Sequence, residues 1–132
     1  MTSVDTNVIV RLLTGDDPRQ AAAARSLFAA DFIWIGKTVL LETAWVLGSV
    51  YGFEESAIRE ALTRLLGLPN VQAEDASGMT AALRLGAQGL ELADAIHLCS
   101  RPHNSDFVSF DAAFIRRAKR AGVKAVALVP QP

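Results

Sequence analysis

Only one cysteine, Cys99, occurs in the 132 residues, which excludes an intrachain disulfide and every zinc site that needs paired thiolates. A reducing compartment suits such a chain, and a soluble, cytoplasmic protein is expected. Charge of one sign is lacking too: 13 Lys and Arg stand against 14 Asp and Glu, a formal net charge of -1. No general basic field advertises nucleic acid, so a charged partner has to be met by a local patch. No apolar stretch reaches the ~18 to 20 residues of a membrane span, and no basic segment leads into an apolar run at the start, so neither a membrane partner nor a leader is expected. Repeats, low-complexity tracts and Pro/Gly-rich linkers are absent, which makes residues 1–132 one expected domain.

What is there is a regular alternation of short apolar runs and helical patterns. A strand near Thr2 to Val4 leads into a helix from Thr6, where Val8, Ile9, Leu12 and Leu13 recur at helical spacing. Asp17 before Pro18 reads as an N-cap opening an alanine-rich helix to Ala30. Phe32 to Ile35 reads as a buried strand closed by Gly36, followed by a helix from about Thr38 to Val50. An amphipathic helix through Leu66 turns Ile58, Leu62, Leu65 and Leu66 inward and lets Glu60 pair with Arg64. A brief strand near Val71 precedes helices over Ala76 to Ala87 and Leu92 to Cys99, and Arg101-Pro102-His103-Asn104 stops the second. Phe107 to Phe110 reads as a buried strand, Asp111 caps a further helix, and Val126 to Leu128 forms the last strand. Strands alternating with helices predict an α/β fold, a three-layer α/β/α sandwich around a central, mostly parallel sheet. Ligands of such folds gather at the carboxyl ends of the strands.

Most acids sit where acids ordinarily sit: Asp16-Asp17 in a turn, Glu54-Glu55 at a helix start, Glu74-Asp75 in a loop. Four others interrupt apolar runs, namely Asp5, Glu42, Asp94 and Asp111. A carboxylate in an apolar wall protonates, finds a cation or accepts several hydrogen bonds. A divalent metal would satisfy all four, and oxygen-only donors favour Mg²⁺ or Mn²⁺, one or two ions. The chemistry such a cluster supports is phosphodiester hydrolysis by metal-bound water. Taken singly, Asp5 and Asp111 are equally well explained as helix caps.

In order, Val4-Asp5-Thr6-Asn7-Val8-Ile9-Val10-Arg11-Leu12-Leu13, Leu41-Glu42-Thr43-Ala44-Trp45-Val46-Leu47, Ala93-Asp94-Ala95-Ile96-His97-Leu98 and Val108-Ser109-Phe110-Asp111-Ala112-Ala113-Phe114 closely resemble the PIN domain, and more narrowly the VapC toxins of VapBC toxin–antitoxin pairs. The resemblance implies a metal-dependent endoribonuclease with catalytic and metal-binding acids at Asp5, Glu42, Asp94 and Asp111. Within it, Asp5 and Asp94 would be the firmest ligands. Glu42 would act through water or on a second ion, and Asp111 would ligate or orient metal-bound water. Asn7 and Ser109 match the supporting polar positions, with Thr6 beside them. Ser109 is usually threonine in the family, and the stretch between Asp94 and Asp111 is shorter than in many relatives. A homodimer and a cognate VapB-like antitoxin reaching into the acidic cleft are likewise implications of the resemblance.

Arg116, Arg117, Lys119, Arg120 and Lys124 concentrate five of the thirteen basic residues near the last helix. They fit an RNA phosphate track or a solvated face whose cations favour the helix C-terminus. Arg11 and Lys37 are equally candidate phosphate contacts. His97 lies one turn after Asp94 but lacks a second histidine to make a ligand pair, and Trp34, Trp45 and Tyr51 read as core from their apolar neighbours. Two other functions remain open. A metal-dependent phosphohydrolase of the haloacid-dehalogenase type wants an aspartate where Asn7 stands, and a nucleic-acid- or protein-binding module would keep the fold without catalysis.

Overall fold

The computed structural model describes residues 1–132, and its order is β1 (Thr2–Ser3), α1 (Thr6–Thr14), α2 (Pro18–Ala30), β2 (Ile33–Ile35), α3 (Lys37–Ser49), α4 (Glu55–Leu66), β3 (Val71–Ala73), α5 (Ala76–Ala87), α6 (Leu92–Cys99), β4 (Phe107–Ser109), α7 (Ala112–Arg120) and β5 (Val126–Leu128). Every strand pair is parallel. The strands form a three-stranded sheet ordered β1-β2-β3 and a two-stranded sheet β4-β5, rather than one continuous sheet. Thr2 lies opposite Ile33, Ile33 opposite Val71, and Phe107 opposite Val126. Parallel neighbours require crossovers, which α1–α2 and α3–α4 supply, and the arrangement is compatible with an α/β/α sandwich.

The elements follow from local chemistry. Asp17 accepts from the Gln20 N–H at 3.0 Å and Pro18 opens α2, so the cap and the rigid φ act together. Gly15 ends α1 in the left-handed conformation at φ 67°, where a side chain would be strained. The Glu60–Arg64 pair forms at 2.5 Å on the exposed side of α4. The core joins Ile9, Ile33, Ile35, Leu40, Leu62, Met79 and Leu98, all at most 2% exposed. Burying each such side chain stabilises the fold by about 1.5–3 kcal/mol.

Three expectations of burial fail. Phe32, read as the first residue of a buried strand, lies outside β2 and is exposed. Phe107 packs edge-on against Phe114 at 5.6 Å, but Val108 and Phe110 are exposed, because α7 covers only one side of β4. Trp45 is 63% exposed: α3 buries Leu40, Thr43 and Leu47, which turns Glu42, Trp45 and Ser49 outward. Apolar residues lie all round this helix, so composition did not reveal which stripe faces the core. Tyr51 is half-buried and donates its hydroxyl to Asp16 at 2.6 Å. No helix is long and apolar enough to cross a membrane.

Candidate active site

Within each parallel sheet the carboxyl ends of the strands share an edge, and an acid follows the first strand of each. Asp5 follows β1 and N-caps α1, accepting from the Val8 N–H at 3.2 Å. Asp111 comes two residues after β4 ends and N-caps α7, accepting from the Phe114 N–H at 3.0 Å. Its own N–H donates to the Ser109 hydroxyl at 3.0 Å, so the serine fixes the backbone that presents the aspartate. Thr6, buried beside Asp5, donates its hydroxyl to the Glu42 carboxylate, which ties the outward stripe of α3 to the start of α1. Asn7 is exposed next to them and lines a separate groove with Val8, Arg11, Gln20 and Leu27.

Asp94 is the third residue of α6 and is half-buried. Burial pushes its carboxyl above the ordinary range, and the negative charge of Asp111 pushes it further. The charges of His97 and Arg117 oppose the rise, while Glu55 adds to it. These five side chains therefore share one electrostatic field. Of the four acids, Asp5, Glu42 and Asp111 are exposed, contrary to the apolar wall that their sequence neighbours implied. Leu41 and Ala44 pack partly against the core while Glu42 does not, and Phe110 is itself exposed beside Asp111.

None of the four has an ion-pair partner. The chain's ion pairs are Met1–Asp31, Arg11–Asp16, Lys37–Asp75 and Glu60–Arg64. Asp94 lies in the field of the Asp111 charge, and a pair of unpaired oxygen donors suits a hard cation, since Mg²⁺ is commonly held by only one or two carboxylates with the rest of its shell water. In that sense the donor set fits, although no three acidic, histidine or cysteine side chains converge into a closed metal cage.

The PIN domain family matches residues 3–120. The chain belongs to that family. PIN domains are generally nucleases, hydrolases that typically use divalent metal ions, and the family suggests nucleic-acid binding. No curated protein and no solved structure matches this PIN domain.

Two of the candidate phosphate contacts are engaged within the PIN domain itself. Arg11 pairs with both Asp16 oxygens at 2.8 and 2.9 Å, donates to Gln20 at 2.8 Å and to the Tyr51 hydroxyl at 3.0 Å. Lys37 pairs with Asp75 at 3.1 Å, and its N–H donates to Glu74 at 2.9 Å. The α7 cations Arg116 and Arg117 are exposed and have no ion pair, and Arg117 reaches the field of Asp94. Sequence reasoning passed over Glu55 as an ordinary helix-start acid. Only the three-dimensional approach of α4 to α6 brings it to the site.

Proposed function

We propose that this PIN domain is a Mg²⁺- or Mn²⁺-dependent endoribonuclease and the toxin of a VapBC-type pair, one domain over residues 1–132. The observation that carries the reading is the half-buried Asp94 in the field of the Asp111 charge, neither of them with an ion-pair partner. Asp5, Glu42, Asp94 and Asp111 would hold one or two ions, and a bound ion lowers the pKa of its water and neutralises charge on the leaving oxygen. The residues do the rest. Thr6 holds the Glu42 carboxylate in one orientation, Ser109 fixes the backbone of Asp111, and Asn7 stands beside Asp5. Arg116 and Arg117 place the RNA phosphates, Arg117 with its charge acting on Asp94. The cognate antitoxin blocks the acidic edge, and the exposed Trp45, Val50 and Phe53 supply apolar surface for a homodimer.

A second reading, a PIN-fold binding module without catalysis, is favoured by the open spacing of the acids. One experiment separates the two. Purified protein free of antitoxin should cut RNA with Mg²⁺ or Mn²⁺, stop in EDTA, and lose at least about a hundredfold in rate on Asp94→Asn or Asp5→Asn, as when a charge-stabilising group at a reacting centre is removed. Equal cutting by both variants, or no cutting by wild type on a broad RNA panel, overturns the nuclease reading. Growth arrest on expression, relieved by a co-expressed small neighbouring protein, tests the toxin role.

A further inference from the structure

A helix begins with N–H groups that lack intrahelical acceptors. In α6 the residue at the N-cap, Glu91, has extended backbone at ψ 141° but its side chain makes no capping hydrogen bond. The acceptor comes instead from another helix. Glu55, the first residue of α4, accepts from the Leu92 N–H at 2.6 Å, across 37 residues of sequence. Leu92 is 3% exposed, so without this carboxylate its N–H would be short of a partner. Asp94 follows two residues later on the same first turn.

We infer that Glu55 is a positioning residue for Asp94: by capping α6 from α4 it fixes the turn that presents the Asp94 carboxylate to a metal ion. The inference rests on the metal-site reading proposed above. α6 has only eight residues, so a shift of its first turn is not absorbed by a long helical body. Glu55 also lines, with Leu41, Trp45, Glu91, Leu92 and Ala93, a groove of about 250 Å³ against α3. The capping bond joins α4 to α6 on the wall of that groove, and Asp94 follows Ala93 on the same turn. Positioning of this kind is a matter of tenths of an ångström, and loss of a supporting contact to a metal ligand costs about 10- to 100-fold in metal affinity or activity.

Three variants separate position from charge. Glu55→Gln keeps an acceptor of the same reach without the charge, Glu55→Asp keeps the charge with a shorter reach, and Glu55→Ala removes both. Mn²⁺ affinity by titration, RNA cleavage, and amide exchange at Leu92 in metal-free protein are measured for each, with Asp17→Ala as a variant that removes the cap of α2 instead. The expected result is E55Q within about threefold of wild type, with E55D and E55A weakened about tenfold or more in Mn²⁺ affinity and in kcat with little change in KM. Leu92 should exchange faster in E55D and E55A alone, and D17A should keep wild-type Mn²⁺ affinity. Wild-type affinity in E55A, E55Q impaired as much as E55A, or unchanged Leu92 exchange in E55A overturns the inference. Wild-type protein that binds no Mn²⁺ overturns the metal site instead, and Leu92 exchange still decides the capping bond.

Discussion

At the scale of single residues, charge decides most outcomes. Asp94 is held above its ordinary pKa by burial and by Asp111, so in metal-free protein folding favours its protonated form. Its contribution to stability is fully present below the unfolded pKa and is lost as pH rises through the folded one. Asp94→Asn should therefore raise the Tm in EDTA at pH 7, and the gain should vanish near pH 3, as thermal scans across pH can check. Asp16 has the opposite sign. The Tyr51 hydroxyl and the Arg11 guanidinium hold its pKa at about 2, well below the ordinary aspartate range. Its stabilisation is present above the unfolded pKa and fades as pH falls toward 2, so the Tm gap between wild type and Asp16→Asn should be constant above about pH 5 and close below pH 4. Thr6→Val should free Glu42 and lower nuclease rate about tenfold, while Thr6→Ser keeps it. The acids themselves were legible in the sequence, since Asp5, Glu42, Asp94 and Asp111 stand out by their neighbours. Their exposure was not, because apolar neighbours in sequence need not be neighbours in space.

At the scale of elements, boundaries were legible wherever a side chain makes them. Asp17-Pro18 starts α2, Asp111 caps α7, and the apolar spacing of Ile58, Leu62 and Leu65 marks the buried face of α4. The starts of α3 and α6 were legible too, at about Thr38 and at Leu92, but the groups that cap them were not: α3 begins on the Glu74 carboxylate and α6 on that of Glu55, each 37 residues away. The start of α5 is tightly built: Asp75 sits at φ 52°, pairs with Lys37, and accepts from the Gly78 N–H at 3.2 Å. A Cβ at Gly78 would lie 2.2 Å from the Asp75 carboxylate. Gly78→Ala should cost about 1–2 kcal/mol, the worth of a lost N-cap, measured by urea unfolding with an unchanged m-value.

At the scale of the whole molecule, a net charge of -1 hides an uneven distribution. Arg116, Arg117, Lys119 and Arg120 lie exposed along α7, directly after Asp111. RNA binding should weaken with added salt, and replacing these four by Gln should make the log–log slope shallower by roughly 3 if all four meet phosphates, at about 0.7 per phosphate for single strands. An unchanged slope would place the RNA elsewhere. Sequence legibility at this scale was partial: the alternation of strands and helices announced the parallel α/β fold, while the division into β1-β2-β3 and β4-β5 depends on strands only two or three residues long. That shortness has a temporal side. Asp5 and Glu42 belong to the strands and helices made first, whereas Asp94, Asp111 and α7 come from the last third of the chain. Any site that draws on both Asp5 and Asp111 has to join residues 5 and 111, so it closes late, after the strands and helices between them have packed.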